Sequence, residues 1–243
     1  MSSREDVKYM QAIAYPDDYP TFDAIAAGAA NRDYRPTLVS GFINDRHKWY
    51  VSAPTAPGSV AIVHQIPGKL RRGDASKLYE MAYMSQGDIL ELGTYKGLSS
   101  TIMGEALRDA RKPFQVYTAD LNEEFVERAK AAHVKMRLTN VHTHVMEGGA
   151  FTKSMKDKRV KFGFAFIDHW HGYDATVEVC QLLPDIMMNR GFVLFHDFTH
   201  IGNVSDDPAF GVIQAVEDTL SKDFKFFGIF GCCALFRYEP KHS

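Results

Sequence analysis

From Asp88 onward, short runs of consecutive apolar residues alternate with longer stretches in which apolar positions recur every three or four residues. The runs at 89–92, 114–119, 141–146, 162–167 and 191–196 predict strands, and the periodic stretches at 99–111, 123–136, 152–156 and 174–188 predict helices. Gly191 follows the last of these, where a helix is expected to stop. Strands that alternate with helices imply right-handed crossovers and a parallel sheet covered on both faces. The rhythm changes near the end of the chain. Asp207-Pro208 reads as the cap and first residue of a helix running to about 220. Two apolar runs, 224–230 and 232–238, are then parted only by Gly231. Strands joined so tightly are antiparallel, because a parallel return needs a crossover. The fold class expected is doubly wound α/β, with five parallel strands plus a C-terminal antiparallel hairpin, seven strands in all.

The start of the chain lacks this order. Pro16, Pro20 and Pro36 interrupt it, and the stretch 53–58 (APTAPG) reads as loop. A helix is expected from 74 to 85, with Leu78 and Ala82 at helical spacing. Residues 1–65 are therefore assigned as an irregular extension, a cap or an arm for a homodimer, and 66–243 as the main domain. Tyr9, Tyr15, Tyr19, Trp49 and Tyr50 are expected to pack on the sheet.

Composition narrows the possibilities. The chain has 243 residues, 45% of them hydrophobic and 24% charged, which excludes a disordered or fibrous chain. Its net charge of −2 argues against a partner wrapped by charge alone, so no nucleic acid is expected. Three cysteines make no disulfide framework and fit a reducing, cytoplasmic setting. No membrane-length apolar run and no signal-peptide pattern stand in the sequence, so no membrane partner is expected.

Chemistry concentrates at the predicted strand ends. In Glu91-Leu92-Gly93-Thr94-Tyr95-Lys96-Gly97-Leu98-Ser99 a strand ends in an acid, and two glycines four apart open a helix. Gly93 allows a tight turn and close backbone approach, and Gly97 lets the helix start against the strand. The spacing fits neither a dinucleotide fingerprint nor a nucleotide P-loop. Alone, the loop is either a structural turn or a nucleoside site. Asp120 ends the next strand, where a carboxylate can accept from ribose hydroxyls, although it could also cap the following helix. The pair favours a nucleoside. Asp168-His169-Trp170-His171 and His196-Asp197-Phe198-Thr199-His200 end two further strands. Neighbouring strands lie about 4.8 Å apart, so Asp168 and Asp197 are expected side by side. Carboxylates that close call for a proton or a cation between them. Oxygen ligation points to Mg²⁺ first, with Mn²⁺ or a softer metal next, since His169, His171, His196 and His200 stand near those acids and could build an imidazole-rich site.

From Ile66 to Tyr238 the chain resembles the class I S-adenosylmethionine-dependent methyltransferases. Residues 91–99 resemble motif I of the catechol O-methyltransferase branch, and Asp168-His169-Trp170-His171 its metal-and-base motif. The span 168–173 also resembles the D-x-x-H-x-Y pattern of small bacterial sugar and antibiotic O-methyltransferases. The resemblance implies a Rossmann-like fold and O-methylation of a small-molecule hydroxyl acceptor. It implies that Glu91, Gly93, Tyr95 and Ser99 hold the methionine end of S-adenosylmethionine, with Gly97 in the same cofactor loop, and Asp120 its ribose. Ala150 and Phe151 would border the adenine, His169 and Trp170 would pack around it, and Asp168 and Asp197 would ligate Mg²⁺. His171 stands where the catechol enzymes carry a lysine general base. Phe198 departs from the pattern, since a third ligand is expected there; His196, His200 or water would have to replace it. The segment 199–209 also differs and is expected to form part of a substrate lid. Two other readings share the sheet: an NAD-linked or metallo-hydrolytic enzyme, and a cofactor-binding module without catalysis.

Overall fold

The computed structural model describes residues 42–205 and 207–240. The prolines at 16, 20 and 36 and the tyrosines at 9, 15 and 19 lie outside the described residues. The described chain opens with helices α1 (Asp45–Val51) and α2 (Arg72–Met84). There follow β1 (Asp88–Leu92), α3 (Leu98–Asp109), β2 (Val116–Asp120), α4 (Glu123–Lys135), β3 (Val141–Val145) and α5 (Gly148–Asp157). The second half holds β4 (Phe162–Ile167), α6 (Tyr173–Ile186), β5 (Met187–Phe195), α7 (Val212–Thr219), β6 (Phe224–Phe230) and β7 (Cys233–Tyr238).

The seven strands form one sheet in the order β3-β2-β1-β4-β5-β7-β6. Strands β1 to β5 are parallel, and β7 inserts antiparallel between β5 and β6. The expected architecture is therefore present. Strand order reverses between β1 and β4, the place where open α/β sheets form a ligand crevice at their carboxyl ends.

Burial follows the alternation of the strands. In β4 every residue is buried, since helices cover both faces. Phe164 and Phe166 face the core built with α2 and α3, while Ala165 and Ile167 face the core built with α5, α6 and α7. Helix α1 joins the first core through Tyr50, whose hydroxyl bonds Glu105 of α3 at 3.1 Å. Tyr50 thus packs as expected, and its neighbour Trp49 is 39% exposed.

Three local expectations are corrected. Gly191 does not stop a helix: α6 ends at Ile186, and Gly191 lies inside β5. Phe162 pairs with Met187 and Phe164 with Phe192, so residues between Met187 and Phe192 loop out as a bulge. The helix expected from Asp207 begins later, at Val212, because Asp207 instead closes a turn by accepting from the amides of Ala209 and Phe210. Helix α5 starts at Gly148, a turn earlier than expected, since Glu147 caps it by accepting from the Ala150 amide.

Candidate active site

At the switch point the loops after β1 and β4 touch. Gly93 has φ +95°, and a Cβ there would sit 2.0 Å from the carbonyl oxygen of Asp168, so this position requires glycine. Gly97 has φ +85°, and its Cβ would lie 2.9 Å from Ala129 Cα. The closeness it permits is to α4, not to the strand behind it. Around these loops opens a cavity of about 760 Å³, within the range of roughly 300–1,000 Å³ common for small-molecule sites. A second cavity, about 530 Å³, lies beside Trp49 and His64, away from the strand ends.

The larger cavity collects most of the residues expected in a site. Gly93, Tyr95, Ser99, Asp120, Asp168, His169, Trp170, His171, His196, Asp197 and His200 all line it. Asp120 does not cap α4; Asn122 does, accepting from the Phe125 amide. The Asp120 carboxylate accepts instead from the amides of Tyr95 at 2.8 Å and Asn122 at 2.9 Å, which ties the first two loops together. Glu91 is fully buried behind this wall, accepting from the Thr118 hydroxyl, with Oε1 lacking any hydrogen-bond partner. Burial pushes its carboxyl up to about 8, against the hydroxyls of Ser99 and Thr118, and the charge of Asp168 adds to the rise. An incoming cationic group is the natural partner for such an acid.

Two expected residues stand elsewhere. Phe151 is buried in the core, its ring 4.8 Å from that of His144, and Ala150 is exposed on α5. Neither lines the cavity; Met146, Glu147 and Gly148 form that wall. The early start of α5 rotates Phe151 onto the sheet. His169 packs against Gly148 and its Nε2 lies 3.2 Å from the Ala175 carbonyl oxygen. Burial lowers its pKa and so keeps the ring neutral. Trp170 is 65% exposed at the rim, a large flat surface that a planar ligand could cover.

The acidic and imidazole cluster differs in register from expectation. Ile167 pairs with Phe195, so the residue beside Asp168 is His196, not Asp197. His196 Nδ1 lies 2.8 Å from Asp168 Oδ1, and His171 Nε2 lies 3.2 Å from the same oxygen. Asp197, in the left-handed region at φ +50°, reaches the group through His171 at 3.5 Å and His196 at 3.6 Å. The tightest set of possible metal donors facing the cavity is thus Asp168, His171 and His196. Burial would raise the Asp168 pKa, but the charge of His196 and the hydrogen bond and charge of His171 hold it at about 2. Burial opposes charge on His196, yet Asp168, Cys232 and Asp74 outweigh it and raise its pKa well above the usual value.

His200 does not join the donors. Its Nδ1 accepts from the Gly202 amide at 3.1 Å, and its ring stacks 4.0 Å from Phe210, which also stacks on His171. Phe198 is buried against Phe236 and presents no donor. His196, not Phe198, stands beside Asp168. Its 2.8 Å approach to Asp168 is not aligned as a hydrogen bond, and Nδ1 is a buried polar atom with no such partner. A carboxylate and an imidazole this close, paired by charge but not aligned as a hydrogen bond, offer a donor pair to a cation that displaces the imidazole proton. Asp74 and Cys232 were not singled out in the sequence; both touch His196, and only their distance along the chain hid them.

Comparison with known families and structures agrees with this geometry. A family described as a methyltransferase domain matches residues 90–198. Comparison with curated protein sequences gives no match. Among solved structures, the chain is similar to the O-methyltransferase TomG of Streptomyces achromogenes, involved in tomaymycin synthesis and solved with SAM. That likeness has 19% identity and a TM-score of 0.57, and covers 70% of this chain and 82% of TomG. An O-methyltransferase from Bacillus cereus, solved with SAH, shares 13% identity at a TM-score of 0.57, over 84% of this chain and 94% of its own. The SAH-bound methyltransferase PaMTH1 of Podospora anserina shares 17% identity at 0.57, over 84% and 100%.

Proposed function

We propose that this chain, which carries a methyltransferase domain of the class I fold, transfers the methyl group of S-adenosylmethionine to a hydroxyl oxygen of a small molecule with the help of a divalent cation. The observation that carries the reading is convergence. The Glu91 and Asp120 loops and the Asp168–His171–His196 cluster open into one cavity at the switch point of the sheet.

Roles follow from position. Gly93 and Ser99, with Glu91 behind them, receive the cationic methionine end of the donor, and the Asp120 carboxylate accepts from the ribose. Met146, Glu147 and Gly148 border the base, with neutral His169 beside it and Trp170 closing over it. Asp168, Asp197 and His196 Nδ1 hold the cation. One nitrogen among oxygen donors suits Mn²⁺ at least as well as Mg²⁺. When bound, the donor supplies an electrophilic methyl on sulfur, and the cation a Lewis acid that lowers the pKa of the acceptor hydroxyl. His171, whose Nε2–H donates to Asp168 Oδ1 at 3.2 Å, takes the hydroxyl proton on its other ring nitrogen as the sulfur–methyl bond breaks and the new O–C bond forms. The imidazolium so made lies 3.2 Å from Asp168 and 3.5 Å from Asp197, which stabilise it. Phe210, stacked on His171, fixes the ring and offers an aromatic wall to the acceptor. That TomG and the Bacillus cereus protein are both O-methyltransferases supports oxygen as the acceptor atom.

The test is transfer of labelled methyl to a panel of phenols, catechols and sugars, with Mn²⁺ or with EDTA. His171→Ala is expected to lower kcat by about 10²–10⁴-fold while S-adenosylhomocysteine affinity stays within about twofold. Undiminished turnover in EDTA removes the cation from the account, and unchanged turnover in the variant removes His171 as base.

A further inference from the structure

On the side of His196 turned from Asp168, four donor side chains meet from three distant parts of the chain. Asp74 lies in the first turn of α2, His196 follows β5, and Cys232 and Cys233 stand where β7 begins. Asp74 Oδ2 is 3.5 Å from His196 Nε2, and Cys232 Sγ is 3.3 Å from that same nitrogen. Both sulfurs lie 3.4 Å from Asp74 Oδ1. One donor atom from each residue lies within 4.8 Å of all the others, and all four residues are buried. Cys232 and His196 also line the cavity, which gives an ion a way in.

A network of thiols on a carboxylate can exist for its hydrogen bonds alone. The spacing carries more than that. Zinc binds sulfur at about 2.3 Å and nitrogen or oxygen at about 2.0–2.2 Å, so tetrahedral angles put neighbouring donors roughly 3.3–3.8 Å apart. The four separations, 3.3 to 3.5 Å, fall in that interval, with the sulfurs meeting Oδ1 of Asp74 and the imidazole Oδ2, and one atom from each residue lies within 4.8 Å of the rest. We infer that Asp74, His196, Cys232 and Cys233 form a buried site for one thiophilic divalent cation of the zinc and cadmium class, separate from the oxygen-rich cluster that faces the cavity. Two sulfur–metal bonds replace two S–H bonds on binding. The thiol protons and any proton on His196 Nε2 pass to solvent, with no change of oxidation state.

His196 couples the two clusters. An imidazole that ligates through Nε2 carries its remaining proton on Nδ1, the atom that lies 2.8 Å from Asp168 Oδ1. It then has no lone pair for a cation in the cavity. A thiophilic ion in the buried site therefore deprives the outer cluster of its imidazole and weakens binding of Mn²⁺ there. This coupling rests on the proposed cation site; the buried site does not.

Titration of the metal-stripped full chain with Cd²⁺, followed by the ultraviolet sulfur-to-cadmium band, tests both parts. The expected band saturates at one ion per chain with the intensity of two thiolates. It disappears in the C232S/C233S double variant and persists in C180S, whose thiol is buried in α6. One equivalent of Cd²⁺ is expected to weaken Mn²⁺ binding, read by electron paramagnetic resonance, at least about tenfold. Absence of the band overturns the site, as does a band that survives in the double variant. If that variant does not fold, the ¹¹³Cd resonance of the wild-type chain decides, since a shift typical of all-oxygen donors also overturns it. A saturated band with unchanged Mn²⁺ affinity overturns the coupling.

Discussion

Glu91 shows what one residue records about its site. Its carboxyl is held at about 8, chiefly by burial, against an ordinary value of 4.5. Between those two pH values the folded chain keeps a proton that the unfolded chain has lost, so stability falls as pH rises through the window and levels off above it. Glu91→Gln removes this dependence. Its stability relative to the wild type should climb across the window, with a slope approaching about 1.4 kcal/mol per pH unit at mid-range. Denaturant melts of both proteins at a series of pH values measure the difference, and a flat difference contradicts the assignment. At this scale the sequence was most readable where an apolar run ends in a polar residue, as at Glu91, Asp120 and Asp168. It was unreadable where burial depends on distant chain. Lys77 and Glu80 form an ion pair at 2.8 Å that is fully buried in α2, with Lys77 Nζ 3.9 Å above the Phe230 ring. Nothing in their spacing separates that pair from a solvated one.

Elements were legible in kind and less so in their limits. Strand β4 runs as expected from Phe162 to Ile167, because a run of six apolar residues bounded by polar ones is long enough for a buried strand and too short for a helix. Gly191 misled because a glycine after a helical stretch reads as a stop, whereas here it sits in a bulge that tertiary pairing sets. That bulge matters to the site, since the register beyond it puts His196 rather than Asp197 next to Asp168. Strand pairing is not written in either strand alone. Gly97 carries the prediction that belongs to this scale. A methyl there would meet both the Cα and the Cβ of Ala129 at 2.9 Å, at a backbone angle that costs an L-residue roughly 1–2 kcal/mol. Gly97→Ala should lower the melting temperature and weaken S-adenosylhomocysteine binding together, as α4 is pushed from the loop that carries Tyr95. A melt that matches the wild type contradicts the close packing.

The whole molecule brings these pieces to one side of the sheet. The order β3-β2-β1-β4-β5 follows from consecutive crossovers and one reversal, and the reversal lies between the strands that deliver Glu91 and Asp168. The side on which chemistry gathers was therefore readable once the alternation of strands and helices was seen. The contents of the second cluster were not, because α2 and the turn before β7 supply Asp74 and Cys232 from distant parts of the chain. Among the described residues no helix is long and apolar enough to cross a membrane. The central claim is that this crevice receives a sulfonium nucleoside beside a cation, and calorimetric titration with S-adenosylhomocysteine tests it most directly. The account predicts one site per chain, at least about tenfold weaker in Asp120→Ala and little changed in Asp168→Ala, which should instead lose Mn²⁺ binding. No binding of S-adenosylhomocysteine, or binding of NAD in its place, contradicts it.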